Sequence, residues 1–478
     1  MGFQHLFSSN RGLIAESYYP IILEYARRRG GVEAADQANG ACNATGGLKG
    51  LPGAVHFTIQ LAPGGLANSG DLGIHSNALF AGLHFISMFE ASQNTTFLTE
   101  ESYPLLRAVA GRRPRPTAVL YAPSDSTIRV ALAAWWVGAG DGCPGWLKRQ
   151  TLAGGAYRYI DNNTCTREGC DNGPHAPVPN PKDLNPAISI AFLMRTLRHL
   201  IDVAERGLVD PPAAELSRWQ DVLANLAAIP VGKARSPSNT SVLLPQEYPI
   251  FTFPDERHDN PLEFYGIYPG EQIGQSSPPA LLAAARNTVL LADVTDPLQE
   301  NAFQEIFPSF VRVGCSEGCK LNASYILDTF SRVVAGNMGE NGYLRQGGGG
   351  IETAGGALAI NDMLLQSFEG FIRLFPVWPH SEDASFRTLR ATGAFLVSAS
   401  LKNGTVTDVT IVSEAGSNCS LLSPWGAAGA PVVTHAGNTV VVTRKPGPGP
   451  SPLWRFATQA GASYKVTSRA TADPQARP

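Results

Sequence analysis

The sequence predicts a mainly α-helical region up to about residue 372, followed by a β domain. Up to that residue, apolar side chains recur at intervals of three and four residues, which is the period of an amphipathic helix. Beyond it, apolar and polar residues alternate, as in 395–401 and 406–412 on either side of an Asn403-Gly404 turn. Alternation around such a turn is typical of a β hairpin.

The helical pattern is clearest in seven segments, and long connections rich in Gly and Pro separate several of them. Such connections, as at 164–185 and 230–275, often carry binding residues. We expect a helical domain at 1–372 and a C-terminal β domain with a mobile tail at 373–478. The seven segments are 18–28, 76–91, 186–205, 217–226, 278–293, 322–335 and 357–367.

Composition excludes two classes of partner. Charged residues make up 16% of the 478 residues, the net charge is -3, and the basic clusters at 27–29 and 112–113 are short. A nucleic-acid partner is therefore not expected. No segment approaches the roughly 18 to 20 uninterrupted apolar residues that span a bilayer, so no membrane partner is expected either.

Cysteine spacing and glycosylation triplets favour a secreted or lumenal protein. The pairs Cys165/Cys170 and Cys315/Cys319 suit short disulfide-closed loops, because no CxxC pair or nearby His completes a zinc site. An odd seventh cysteine argues against this, and residues 1–11 lack a secretion signal. We expect the true start to lie upstream. Asn-X-Ser/Thr triplets begin at Asn43, Asn94, Asn162, Asn239, Asn322, Asn403 and Asn418.

One carboxylate has unusual surroundings. Glu352 lies between the four glycines 347–350 and a strongly apolar helical segment. Glycines allow the main chain to approach a ligand closely, so an acid at this place is a candidate for chemistry. The alternative is a glycine loop ahead of a helix, with Glu352 as an ordinary first-turn acid that the helix dipole favours.

Five segments together resemble the catalytic region of glycoside hydrolase family 95, whose founding activity is inverting α-L-fucosidase. The resemblance implies an (α/α)6 toroid, or six-hairpin barrel, followed by an antiparallel β domain like the stretch 386–416. It is closer to a divergent branch than to the fucosidases. The segments are GDLGIHSNALFAGLHFISMFE from Gly70, TFLTEESYPLLR from Thr96, DLNPAISIAFLMRTLRHLID from Asp183, EFYGIYPGEQIG from Glu263 and ETAGGALAINDMLLQSFEG from Glu352.

The sequence departs from the family at several places. The family's general base is an aspartate in a Gln-Ile-Asp-Gly-Asn context, whereas here Gln346 is followed by glycines 347–350, and the nearest carboxylate is Glu352. The family's N-x-N asparagines, upstream β-sandwich and first barrel helix have no counterpart here, so we expect an N-terminally truncated chain or an incomplete barrel. The segment 111–129 also fits badly and is interpreted as a surface insertion or a gene-prediction artefact.

Inverting hydrolysis needs a protonated carboxyl and a carboxylate roughly 6.5 to 9.5 Å apart. By resemblance to the family's acid loop, Glu168 is the acid candidate, with Asp161 and Asp171 as runners-up. The neighbouring Arg167 opposes protonation, so burial must outweigh it. The alternative is a solvated glutamate inside a Cys165/Cys170 ring.

Glu352 is the base candidate, and Asp71 is the alternative base or a ligand. Asp71 also fits the cap of the next helix. His75 and Asn77 are interpreted as ligands of sugar hydroxyls, the alternative being a hydrogen-bonded first-turn pair.

Further substrate ligands follow from the resemblance and from the aromatic residues. Arg257 and His258 resemble a family loop that precedes Tyr-Pro-Gly, although a surface charge cluster is the alternative. Gln346 is included because it matches the first residue of the family's base motif. Aromatic rings stack on sugar faces, although most aromatic side chains are simply core. The aromatic candidates are Tyr265, Tyr268, Trp378, Trp135 and Trp136.

The leading hypothesis is a glycoside hydrolase that cleaves a terminal α-L-fucosyl or similar bond in a carbohydrate, with no metal or organic cofactor. The alternative is a catalytically inactive carbohydrate-binding relative. A terpenoid-cyclase-like toroid is disfavoured because no DDxxD-like motif occurs. A serine hydrolase and a metalloenzyme are disfavoured because neither a Gly-x-Ser-x-Gly elbow nor a His ligand spacing occurs.

Overall fold

The structure is a computed structural model, and its residues form two compact units. The N-terminal unit comprises 16–89 and 94–255, and the C-terminal unit comprises 1–15, 90–93 and 256–478. The domain boundary at 372/373 stays a prediction. The structure describes residues 4–27, 61–62, 66–67, 77–110, 147–161, 184–234, 239–247, 261–292, 303–340, 355–427 and 429–468.

The N-terminal unit is mainly helical. Its helix α4 is apolar on nearly every side and is buried along most of its length, as expected for such a sequence. Asn94 caps α5 by accepting a hydrogen bond from the backbone N–H of Phe97. The helices are α3 (Tyr18–Arg27), α4 (Asn77–Ser92, whose last residues fall in the other unit), α5 (Thr95–Phe97), α6 (Tyr103–Ala110), α7 (Ala187–Glu205) and α8 (Ala213–Asn225).

Three short antiparallel hairpins accompany these helices. Ile160 of β4 packs with Ile190 of α7 and with Ala227, which places the end of the strand against the helices. The strands are β1 (Leu61–Ala62), β2 (Leu66–Ala67), β3 (Leu147–Thr151), β4 (Tyr157–Asp161), β5 (Val231–Lys233) and β6 (Ser241–Leu243).

The helical part of the C-terminal unit surrounds one fully buried helix, α10. Asn322 caps α11 by accepting a hydrogen bond from the N–H of Tyr325 at 3.0 Å. The elements are α1 (Gln4–Ser8), α2 (Gly12–Ala15), a 3-10 helix (Leu262–Gly266), α9 (Pro279–Leu291), α10 (Phe303–Val313), α11 (Ala323–Asn337) and α12 (Ala357–Leu364).

The β part contains a six-stranded sheet in the order β14-β13-β17-β11-β10-β9 and a three-stranded sheet in the order β12-β16-β15. All the pairs within them are antiparallel. The strands, with the short pair β7-β8 ahead of them, are β7 (Leu365–Gln366), β8 (Arg373–Leu374), β9 (Ala384–Ala391), β10 (Phe395–Lys402), β11 (Thr405–Ser413), β12 (Cys419–Leu422), β13 (Pro431–His435), β14 (Asn438–Val440), β15 (Thr443–Lys445), β16 (Leu453–Phe456) and β17 (Ala462–Ser468).

The predicted hairpin is confirmed. Lys402 pairs with Thr405, so Asn403 and Gly404 form a two-residue turn, and both have positive φ angles of 47° and 70°. Along β10 every second side chain, from Phe395 to Leu401, is buried. The alternation in the sequence therefore produced the buried face of the sheet.

The seven predicted helices are present, with ends shifted by a few residues. The segment predicted at 357–367 is helical only to Leu364, because Leu365 adopts an extended backbone and begins β7. The (α/α)6 toroid is not confirmed and stays a prediction. What the structure shows is helices followed by antiparallel sheets in the C-terminal region.

Cys315 and Cys319 form the disulfide that their spacing predicted. The other predicted pair, Cys165/Cys170, and the segment 111–129 lie outside the described residues. Cys419 is a free, buried thiol in β12. In the described part of the chain, no helix has the length and apolar character needed to cross a membrane.

Candidate functional site

Most of the predicted site residues lie outside the part of the chain that the structure describes. Asn77 is the first residue of α4, but its side chain is not described, and Tyr265 is described in full. The roles of all these residues stay predictions. Those outside the described residues are Glu168, Glu352, Asp71, His75, Arg257, His258 and Gln346, together with Asp171, Trp135 and Trp136.

Tyr265 lies inside the C-terminal unit, on the 3-10 helix Leu262–Gly266. Its side chain is 5% exposed, and its hydroxyl donates a hydrogen bond to Oε1 of Glu305 at 3.2 Å. This bond fixes the orientation of the Tyr265 hydroxyl toward Glu305. The sequence predicted a sugar ligand here, and the structure adds a carboxyl partner.

Glu305 is a buried carboxyl with a raised proton affinity. It lies in the first turn of α10, is 1% exposed, and burial raises its pKa to about 8. Its Oε2 atom has no hydrogen-bond partner among the described residues. A carboxyl of this kind carries a proton at pH 7 and belongs to the chemical class of general acids.

A buried ion cluster surrounds Arg312 at the other end of α10. The guanidinium donates to Oδ2 of Asp362 at 2.8 Å and to Oε1 of Glu271 at 2.9 Å. It also lies between two rings, 4.7 Å from the centroid of Tyr268 and 4.5 Å from that of Phe368. These contacts satisfy the planar cation on its edge and on its faces.

In this cluster the buried positive charge of Arg312 is balanced by two carboxylates. Burial opposes the charge on Arg312, but attraction to Asp362 and Glu271 outweighs it and raises the pKa of the guanidinium. Burial raises the pKa of Asp362, and this effect outweighs the attraction to Arg312, which lowers it. Removing the cation would break its ion pairs with the buried Asp362 and with Glu271.

The Arg312 cluster joins three parts of the C-terminal unit. Glu271 follows the 3-10 helix that carries Tyr265, Arg312 ends α10, and Asp362 belongs to α12. Gly356, just before α12, lies so close to the ring of Phe303 that an added Cβ would clash. The cluster and this close approach fix the helix that follows Glu352 in the sequence.

A second network, in the N-terminal unit, ties the two ends of the segment that contains Glu168. The N–H of Asn185 donates to the carbonyl of Asp161 at 2.6 Å, and the N–H of Asp161 donates to Oδ1 of Asn185 at 2.9 Å. Asn185 has a φ of +50°, which is a left-handed conformation that asparagine tolerates. Asp161, a runner-up for the acid, is fully buried at this point.

Glu247 extends this network. Its Oε2 accepts a hydrogen bond from Nδ2 of Asn185 at 2.5 Å, and both of its oxygens pair with Arg158 at 3.1 and 2.7 Å. Burial opposes ionisation of Glu247, but the bonds from Arg158 and Asn185 outweigh it and lower its pKa. The base of the segment 162–184 is therefore held by both backbone and side-chain bonds.

Glu305, Arg312 and Asn185 were not predicted as site residues. The signal for the first two was a charged residue at each end of an otherwise apolar run, FQEIFPSFVRV, because a lone charge in such a run must find a partner inside. Asn185 gave no such signal. In the described part of the chain, no group of three or more His, Cys, Asp or Glu side chains could hold a metal ion.

A comparison with protein families identifies the β part. Residues 366–466 match the family described as glycoside hydrolase family 95, C-terminal domain. This stretch is similar to the C-terminal domain of glycoside hydrolase family 95. The match runs from the end of β7 into β17 and includes both sheets, but it covers only about a fifth of the chain. No curated protein matches the chain.

Proposed function

We propose that the chain hydrolyses a terminal glycosidic bond, α-L-fucosyl or similar, by an inverting mechanism. The observation that carries the proposal is the family 95 match over residues 366–466. The order and spacing of the five helical-region segments that resemble the family support it. A carbohydrate is accordingly the substrate class.

In this proposal Glu168 protonates the leaving oxygen and Glu352 deprotonates the attacking water. Asp71 is kept as the alternative base, and His75, Asn77, Arg257, His258, Tyr265 and Gln346 as substrate ligands. Two networks hold described residues that flank the segments of the acid and the base. The Asp161–Asn185 bonds hold the ends of the segment with Glu168, and the Arg312 cluster fixes the helix after Glu352.

The test is a pair of isosteric substitutions, Glu168→Gln and Glu352→Gln, assayed on aryl α-L-fucosides and galactosides. Removing a general acid or base lowers turnover by about 10²- to 10⁴-fold. The control is Glu382→Gln, a carboxylate on the exposed surface that should leave turnover unchanged. Unchanged turnover in the first two variants would remove their assignments, and NMR of the first-formed product should show the inverted anomer.

A second candidate function is an inactive, carbohydrate-binding relative of the same fold. It is favoured by the glycines 347–350, which replace the family's base motif. No turnover on a broad glycan panel, together with retained sugar binding, would select it over the hydrolase. We also propose a secreted or lumenal location, which the Cys315–Cys319 disulfide supports.

A further inference from the structure

An open groove of about 890 Å³ runs through the C-terminal unit between α9 and the β strands. Its lining includes Leu282, Arg286 and Asn287 of α9, together with Arg373 of β8 and Ser451. This volume falls within the range of about 300 to 1,000 Å³ that is typical of small-molecule sites. None of its residues was predicted from the sequence to bind a ligand.

The polar walls of the groove are held in place by internal bonds. Arg286 donates to the carbonyls of Val313 at 2.7 Å and Gly314 at 3.2 Å, which ties α9 to the end of α10. Arg373 donates to Oε1 of Gln275 and to Oγ of Ser276, both at 2.9 Å. A ligand would therefore meet side chains that are already ordered, and its binding would lose less entropy.

The charge on the lining is positive. Among the described residues it contains Arg286, Lys320 and Arg373 and no Asp or Glu side chain. Arg373 is balanced by an ion pair with Glu369 at 2.9 Å, whereas the bonds of Arg286 go to uncharged carbonyls. Lys320 is exposed and has no carboxylate partner among the described residues. Two positive charges thus remain uncompensated and attract an anion.

The side-chain amide of Gln275 is a second, independent observation that points to ligand binding. Its Oε1 accepts from Arg373, and this bond sets the orientation of the amide. Its Nε2 atom is buried and has no acceptor among the described residues. A buried donor without an acceptor costs about 1 to 3 kcal/mol, so an oxygen atom of a bound molecule would relieve it.

The remaining surface alternates between apolar and hydroxyl groups. Pro278, Leu282 and Phe375 provide apolar patches, and Ser276 and Ser423 provide hydroxyls. Sugars present the same mixture of C–H faces and hydroxyl edges. The groove therefore suits a carbohydrate better than a small inorganic anion, which would leave most of its volume unfilled.

We propose that this groove binds an anionic carbohydrate, that is, a glycan with carboxylate or sulfate groups. Lys320 and Arg286 attract the anionic groups, and the Gln275 amide donates to a sugar oxygen. The proposal rests on the proposed function, because it takes glycans to be the molecules that this chain handles. It adds a second carbohydrate site, on the side of α9 that faces the β strands.

The experiment is calorimetric titration of the full chain with three oligosaccharides of equal length: a carboxylated oligogalacturonate, a sulfated galactan fragment and a neutral galactan fragment. We expect the anionic probes to bind at least tenfold more tightly than the neutral one, with affinity falling as salt rises. The two anionic arms show which acidic group the groove prefers. Lys320→Glu should weaken anionic binding at least tenfold.

The matched control is Lys465→Glu, which makes the same charge change on the exposed side of β17. This control should leave the affinity for the anionic probes unchanged. Thermal melting should show that both variants are folded. If Lys320→Glu does not fold, Lys320→Gln replaces it as a milder change. Equal binding of the neutral probe, equal effects of the two charge reversals, or no binding of any probe would overturn the proposal. Titration of the Glu352→Gln variant separates the two functions, since groove binding should persist there whether or not the chain hydrolyses glycosides.

Discussion

The hydroxyl oxygen of Tyr265 lies 3.2 Å from Oε1 of Glu305, inside the C-terminal unit. Burial raises the pKa of Glu305 to about 8, although the bond from Tyr265 favours the ionised form. The folded chain therefore holds a proton on this carboxyl at neutral pH. The unfolded chain releases it, because an exposed glutamate ionises near pH 4.5.

This difference predicts a pH-dependent stability. Between about pH 4.5 and 8 the folded state binds more protons at Glu305 than the unfolded state, so stability falls as pH rises. The slope from this group approaches about 1.4 kcal/mol per pH unit. Glu305→Gln removes the effect, so the melting temperature of the wild type relative to this variant should fall between pH 5 and 8. A difference that stays constant with pH would contradict the assignment.

Arg312→Met should destabilise the chain strongly. The substitution removes the cation that pairs with the buried Asp362 and with Glu271, and breaking such a cluster costs about 3 to 5 kcal/mol. Urea unfolding measures the change. The control is Arg332→Met on α11, whose pair with Asp328 is exposed and should contribute about 0.5 kcal/mol or less. Similar losses in the two variants would show that the cluster is not a stabilising element.

Asn185 should tolerate glycine better than alanine. Both substitutions remove the side-chain bonds to Asp161 and Glu247, at about 1 to 3 kcal/mol, but alanine also strains the backbone at a φ of +50°. Chemical denaturation should therefore rank wild type above Asn185→Gly and Asn185→Ala last. Hydrogen exchange at the Asp161 amide should accelerate in both variants, and an unchanged exchange rate would show that this bond does not hold the segment.

The glycosylation triplets should not be used equally in a secretory host. Asn239, Asn403 and Asn418 are exposed and open to a glycan. Asn322 is different, because its Nδ2, the atom that would carry the glycan, donates to the carbonyl of Cys319 at 3.2 Å while its Oδ1 caps α11. Peptide mass spectrometry should find Asn239, Asn403 and Asn418 occupied and Asn322 empty. Full occupancy at Asn322 would contradict the capping geometry.

Local patterns predicted the elements well, because helix and hairpin periods depend on neighbours in sequence. The two-residue turn at Asn403-Gly404 is an example. The helix α10 was not predicted, since Pro308 stands inside it and normally interrupts a helix. Burial of α10 among its neighbours stabilises the helix despite the low helix propensity of Pro308.

The buried polar pairs were beyond prediction from one sequence. Glu305 meets Tyr265 across 40 residues, and Arg312 meets Asp362 across 50. Only the folded chain brings these partners together. The predicted acid and base, Glu168 and Glu352, rest on the family resemblance and stay predictions, as does the six-hairpin toroid.

The position of β17 has a consequence for biosynthesis. It is the last strand that the structure describes, yet it lies between β11 and β13 in the six-stranded sheet. While the ribosome is still translating the codons before Ala462, β11 and β13 each present an open edge that could pair with another nascent chain. A premature stop codon in this stretch would leave both edges open permanently, and such a product should be prone to aggregation.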